Sequence, residues 1–526
     1  MKFLTFVQDY LKNTSELFPN KEALIFGNER WTYSSIDRST DFLGISLLDL
    51  GIQRQDRIVI FLDNSTEIVL SLYGILKAAG VFVIINGSVQ AQKLSYILKD
   101  SGARILITHT SKNKVVSNAI SNLKLDNNFK IIWVGAYNNM PQNLILHSIR
   151  WHELFKNKIS QENIRKKLMA VRAGCIDIDL AALIYTSGST GEPKGVMTTH
   201  QNMISAARSI IEYLENTEND IILNTLPLSF DYGLYQIIMA FMFGGSVVLE
   251  KSFIFFTNII QRLINEKVTG FPIVPTIIAM ILKSVDLKKY DLSALRYISN
   301  TGAALPVDHI QKLRKILPHV SIYSMFGLTE CKRISYLPPE EIDKRPSSVG
   351  KAMPNCEVFI VNKNEEEVKP GEVGELVVRG ANVMKGYWNS PKLTSKVFRP
   401  GLGFDEKLLF TGDYFKMDDD GFLYFLERKD DMIKSRGERI SAKEIENILY
   451  QIEEVNECAV IGIPDEIFGQ AIKAFIVKTT NSKLKEKDIL NYCFQHLEPF
   501  SIPKYVKFLD ELPKNPHGKV DKKILL

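Results

Sequence analysis

Short apolar runs recur through the first 350 residues, bounded by turn residues and separated by stretches of helical periodicity. Residues 56–62 (DRIVIFL), 81–85 (VFVII) and 103–109 (ARILITH) read as strands. The stretch 66–79, between the first two, repeats its apolar positions at helical spacing. Strand, helix and strand in that order predict parallel sheets with helical crossovers. After residue 350 the pattern shortens. Residues 355–362, 374–380 and 421–427 are brief strands with Gly, Asn and acidic turns between them, which predicts a small antiparallel β region. The polar stretch 427–437 (ERKDDMIKSRG) reads as a linker. Beyond it, a helix (441–452), two strands (457–463 and 471–478) and a second helix (484–497) predict a compact tail domain.

Composition removes several function classes. Apolar residues make up 45% of the chain, enough to build cores, so disorder is excluded as the main state. Lys and Arg number 65 against 60 Asp and Glu, a net charge of +5 that is too mild to imply a nucleic-acid partner. The five cysteines are far apart and include no CxxC, so neither a disulfide framework nor a zinc site is expected, and a cytoplasmic setting is the natural reading. The first apolar run stops at Asp9 with no small-residue cleavage site after it, unlike a signal peptide. The stretch 234–249 (LYQIIMAFMFGGSVVL) is 16 residues long and broken by Gly-Gly. A span needs about 20, so this is read as a helix turning into a strand, and no membrane span is expected.

The densest chemistry lies in residues 180–202, LAALIYTSGSTGEPKGVMTTHQN. An apolar strand runs into a loop of Thr, Ser and Gly that ends at Lys194. Small residues let backbone N–H groups face outward, hydroxyls add donors and the lysine adds charge, which together suit phosphate oxygens. Pro193 precedes the lysine and no GK[ST] follows, so this is not a Walker A loop. Further segments are weak by themselves: MFGLTE at 325–330, NTGAALP at 300–306, TGD at 411–413, ERKDDMIKSRGERI at 427–440 and PKNPHGKVDKK at 513–523. Alone they read as turns, a solvated charge run and a basic tail.

Their order and spacing over nearly the whole chain resemble the adenylate-forming superfamily of acyl-CoA synthetases, amino-acid adenylation domains and luciferases. That resemblance implies an α/β fold: a large N-terminal domain of parallel α/β sheets plus a small β region (1–427), a hinge (428–431) and a small mobile C-terminal α+β domain (432–526). It implies ATP and Mg2+ as cofactors. The phosphate loop would be Thr186, Ser187, Gly188, Ser189, Thr190, Gly191 and Lys194. Gly302, Ala303 and Ala304 would wall the adenine, on which Phe326 packs beside Gly327. Thr329 would meet the α-phosphate, and Glu330 would hold the metal, as a carboxylate suits a hard cation. Asp413 and Arg428 would take the ribose, and Arg439 would face a phosphate. Asp430 would be the pivot, Gly437 would line the thiol tunnel, and Lys519 would serve the adenylation step.

The implied reaction joins two anions, a carboxylate and the ATP α-phosphate, which repel unless the protein neutralises both. The catalytic set would be Lys519, Glu330, Thr186 and Lys194. The resulting acyl-adenylate would pass to a phosphopantetheine thiol, on a carrier protein or on CoA. For the acid pocket, the resemblance points to Asp231, Tyr232, Tyr235, Ser299, Thr301, Met325 and Arg333. An aspartate after an aromatic, as in SFDYGL, binds the substrate ammonium in amino-acid adenylation domains, which favours an amino acid carried to a carrier protein. The stretch also resembles stand-alone ligases of the prolyl-loading and exosortase-associated types. Arg333 keeps the alternative open: if it pairs with Asp231, the acid needs no amine and the enzyme is an acyl-CoA ligase.

Overall fold

The computed structural model describes every residue except 1–3, 122, 124–127, 137–141, 157–158, 188–192, 254–255, 285, 304, 402, 404–405, 429–432, 436–437, 441, 466–468, 498–500 and 516–517. The chain divides into two compact units. The first comprises residues 1–272, 329–333 and 380–396, and the second 273–328, 334–379 and 397–526.

An eight-stranded sheet lies within the first unit. Its order is Gly386–Tyr387, Pro193–Thr199, Leu180–Ser187, Val81–Ile84, Arg57–Phe61, Ile105–His109, Lys130–Val134 and Ser148–Arg150. The inner strands run parallel. The helices Thr66–Lys77, Ala91–Ser101 and Asn113–Ile120 supply the crossovers. Parallel strands covered on both faces should be apolar throughout. Arg57–Phe61 and Val81–Ile84 are accordingly buried almost end to end. Val59, Phe61, Val83, Leu106, Ile131 and Trp133 build one core there. The unit also holds Ile221–Asn224, Ser246–Leu249 and Glu22–Phe26, paired in parallel, with Glu29–Thr32 antiparallel at the edge. The 234–249 stretch is the helix Asp231–Phe243 followed by the strand Ser246–Leu249, as its length predicts.

In the second unit Tyr297–Asn300 and Ser321–Phe326 pair in parallel. A small antiparallel sheet runs Cys356–Val361, Val373–Gly380, Lys407–Met417, Phe398–Pro400, with Leu423–Arg428 also on Lys407–Met417. Three of its five strands are those expected after residue 350, within two residues at their ends, whereas Phe398–Pro400 and Lys407–Met417 were not expected. The tail forms another five-stranded sheet around Gly469–Lys478. The helices Ala442–Leu449 and Glu486–His496 contribute Ile445, Leu449, Ile489 and Cys493 to its core.

A buried ion cluster ties three helices of the first unit. Lys77 Nζ lies 2.5 Å from Asp37 and 2.6 Å from Asp41. Arg165 reaches the same two carboxylates, and Gln161 donates to Asp41 at 2.7 Å. Removing one member of such a cluster leaves uncompensated buried charge. Lys77→Met is therefore expected to lower unfolding free energy by about 3–5 kcal/mol, measured by urea denaturation at neutral pH. A loss below about 1 kcal/mol would show that Arg165 alone satisfies the two aspartates.

Candidate active site

The phosphate-loop segment forms a hairpin. Leu180–Ser187 pairs antiparallel with Pro193–Thr199, setting Thr186 opposite Lys194 and Ser187 opposite Pro193. The loop residues Gly188, Ser189, Thr190 and Gly191 lie outside the described residues. A third strand, Gly386–Tyr387, adds to the same edge and pairs Tyr387 with Val196. Tyr387 thereby reaches two expected site residues. Its hydroxyl donates to Glu330 Oε1 at 2.7 Å, and Lys194 Nζ lies 5.5 Å from its ring centroid. Lys194 and Glu330 are 136 positions apart in sequence and meet on one tyrosine. Nothing in the local sequence pattern marks Tyr387. Among the described residues no group of three or more His, Cys, Asp or Glu side chains could hold a metal ion. A metal here would rest on Glu330 and on oxygens from bound phosphates.

The first unit also carries the residues expected around the acid. Asn64 pins the loop before the Asp231 helix by donating to Leu226 O at 2.9 Å and accepting from Leu228 N at 2.9 Å. Asp231 opens the helix, with its Oδ1 accepting from Tyr232 N. Tyr232 and Tyr235 are buried. The Asp231–Arg333 ion pair that the sequence admits is absent from the described ion pairs. The Arg333 guanidinium instead lies over Tyr232, 5.0 Å from its centroid. The neighbouring Lys332, missed in the sequence, is 4% exposed, and its Nζ lies 5.8 Å from the Tyr235 centroid. Burial pushes the Lys332 ammonium down to about 8, opposed by the negative charge of Asp231 and Glu330. Burial likewise pushes the Tyr235 phenol well above its ordinary range, with Asp231 acting the same way and Arg333 against it.

The second unit carries the expected nucleoside side. Asn300 donates to Ala303 O at 3.0 Å and holds the turn at Gly302, whose φ is +89°. Ala304 lies outside the described residues. Thr301 and Ser299 are buried at the end of Tyr297–Asn300, and Met325 at the end of Ser321–Phe326. Phe326 precedes Gly327 and stacks on Phe425 at 5.8 Å, with Phe415 edge-on at 4.9 Å. Asp413 is 1% exposed, and its Oδ1 accepts from Arg428 Nε at 3.0 Å across paired strands. Thr329 stands beside Glu330 in the first unit. Asp430 and Gly437 lie outside the described residues, as does the side chain of Arg439.

Lys519 sits on a closed turn. Its backbone N–H donates to Asn515 Oδ1 at 3.1 Å, and its carbonyl accepts from Asn515 N at 2.7 Å. Gly518 has φ +77° and donates to Asn515 O. Thr276 Oγ1 donates to Gly518 O at 2.7 Å. The flanks are anchored by ion pairs from Lys514 to Glu457 and from Lys522 to the buried Glu446.

The sequence profile of the AMP-binding enzyme family matches residues 11–388, and that of its C-terminal domain matches residues 444–519. The chain belongs to the AMP-binding enzyme family. A long-chain-fatty-acid–CoA ligase of Bacillus subtilis (strain 168) is 30% identical over 540 aligned positions, covering 99% of this chain and 94% of that protein. Among solved structures, an anthranilate CoA ligase in complex with anthranoyl-AMP superposes with a TM-score of 0.87 at 26% identity, covering 100% of this chain and 98% of the other. An o-succinylbenzoate coenzyme A synthetase of Bacillus subtilis, in complex with ATP and magnesium ion, gives 0.81 at 26% identity over 97% and 98% of the two chains. This AMP-binding enzyme is an α/β protein with a large N-terminal and a small C-terminal domain, of the AMP-forming acid–thiol ligase class. No described helix is long and apolar enough to cross a membrane.

The buried lysine has a consequence for stability. Lys332 titrates near 8 in the fold and about 10.4 in an unfolded chain, so the unfolded state binds more protons between these values. Stability contributed by this residue is therefore lowest below pH 8 and recovers as pH rises towards 10.4. Lys332→Met should be more stable than wild type at pH 7, with an advantage that shrinks by pH 10. Paired urea melts at the two pH values test this. A constant difference would mean that the ammonium is paired.

Proposed function

We propose that this enzyme activates a carboxylic acid as its acyl-adenylate and passes the acyl group to the thiol of CoA. The observation that carries the reading is the junction at Tyr387, where a loop lysine and a carboxylate are held together beside a hairpin loop suited to phosphates. Similarity to CoA ligases across the whole chain supports CoA as the acceptor. It replaces the carrier-protein transfer favoured by the sequence, for which Asp231 was the main support.

In the first half-reaction a carboxylate oxygen attacks the α-phosphorus and the bond to the bridging oxygen breaks, releasing pyrophosphate. The carboxylate is already ionised, so no general base is needed. Lys194 and the loop from Thr186 would take the phosphates, Thr329 the α-phosphate, Gly302 and Phe326 the adenine, and Asp413 with Arg428 the ribose. Glu330 would hold Mg2+, which when bound neutralises phosphate charge. The turn at Asn515–Gly518 would present Lys519 to both anions. In the second half-reaction the thiol attacks the acyl carbon, its proton passes to solvent, and AMP leaves. A rotation at 428–431 about Asp430 would withdraw Lys519 and bring Gly437 to the thiol path.

The direct experiment measures AMP formation with ATP, Mg2+ and an acid panel, in the presence of CoA or of phosphopantetheinylated carrier proteins. AMP and acyl-CoA are expected with free CoA. Product on a carrier protein alone would overturn the acceptor. Lys519→Ala should lower acid-dependent pyrophosphate exchange by about 10²–10³-fold, the scale of one preorganised electrostatic group. Thioester formation from supplied acyl-adenylate should be largely kept. Equal loss in both halves would remove Lys519 from the adenylation step.

A further inference from the structure

Among its described residues the first unit buries two adjacent cations and gives neither a hydrogen-bonded anion. Lys332 and Arg333 are each 4% exposed. Lys332 Nζ, Arg333 Nε and Tyr235 Oη have no hydrogen-bond partner among the described residues. A buried donor left unpaired costs about 1–3 kcal/mol, and more when charged. The backbone makes the placement deliberate. Arg333 N–H donates to Cys331 O at 2.7 Å, closing a three-residue turn in which Lys332 has φ +64°. A non-glycine residue in that region is strained and persists only when its surroundings hold it. Asn382 holds it, donating from Nδ2 to the carbonyls of Cys331 and Arg333 at 2.8 Å each.

We propose that Lys332, Arg333 and Tyr235 receive a second carboxylate of the acid, so that the enzyme activates a dicarboxylic acid at the other end. This rests on the acid–CoA ligase reading above. The case rests on unfilled donors and not on net charge: Asp231 and Glu330 both act on Lys332 through charge, yet no hydrogen bond from either carboxylate to Lys332 Nζ or Arg333 Nε is made among the described residues. The alkyl chain of a fatty acid would leave the donors of both buried cations unfilled, which is unfavourable. The ammonium of an amino acid would add a third positive charge beside them. A carboxylate can accept from the guanidinium, the ammonium and the phenol together.

The test compares kcat/KM of the full chain for acid-dependent AMP formation with matched acids: hexanoate against adipate, octanoate against suberate, and the common amino acids. At least one dicarboxylate should exceed its monocarboxylate partner by about tenfold or more, the scale of one charged hydrogen-bonded contact. Lys332→Met and Arg333→Met should each raise KM for that dicarboxylate by about 10–100-fold with kcat within a few fold, the signature of lost substrate binding. Preference for the monocarboxylate or for an amino acid overturns the second-carboxylate site and leaves the ligase reading intact. An unchanged KM in both variants overturns it too. A folded wild type that forms no AMP with any of these acids overturns both.

Discussion

A charge removed from water has to be answered by something, and this rule organises the acid side of the first unit. Among the described residues, Lys332 and Arg333 lose their hydration without gaining a carboxylate at bonding distance. What surrounds them is aromatic: the guanidinium faces Tyr232 and the ammonium faces Tyr235. Ring faces attract cations, but by about 0.5–2 kcal/mol, less than buried cations lose. The balance is left for a ligand. Asn382 spends both amide hydrogens on the carbonyls flanking Lys332, which keeps the strained turn from relaxing and turning the lysine outward. Such a site is costly while empty and favourable when filled, so selectivity and instability share one origin.

Lys519 is held by a different physical device. Its turn is defined by backbone bonds to Asn515 and by Gly518 in a conformation that suits glycine, with Thr276 fixing the carbonyl. Ion pairs at Lys514 and Lys522 fasten the two flanks. Leu512 and Val520 on either side join a hydrophobic core with Ile461 and Phe475, so the turn is anchored to the tail and would travel with it, which suits a residue proposed to serve only one half-reaction. Lys332 is the opposite case, fixed by burial. The two lysines show how a chain divides work between a group that must move and one that must not.

The strands and crossover helices of the first unit were legible because buried parallel strands leave unbroken apolar runs, as in Arg57–Phe61 and Val81–Ile84. The loop after the Leu180–Ser187 strand stood out through its cluster of small residues and lysine, whereas the Asp413 turn and the Lys519 loop were singled out only by their resemblance to family segments. Tyr387 was not, since a tyrosine in a short strand carries no sign of the carboxylate its hydroxyl will find. Lys332 was hidden for a related reason. A lysine beside an arginine reads as a solvated pair, and only the turn clamped by Asn382, 50 positions on, sends it inward. Arg333 was noticed and its pairing with Asp231 was left open, because sequence proximity does not say whether a guanidinium meets a carboxylate or a ring.

Relatives at about 30% identity carry the reaction further than they carry the acid. The groups proposed to handle ATP act on a molecule common to every family member, so their chemistry is constrained wherever the family occurs. The groups at 231–235 and 332–333, proposed to face the acid, are under no such common constraint. A ligase for long-chain fatty acids needs an apolar channel, and buried cations without partners are the least compatible feature such a channel could hold. In the proposal the buried cations therefore choose the acid, while similarity to CoA ligases supports the thiol.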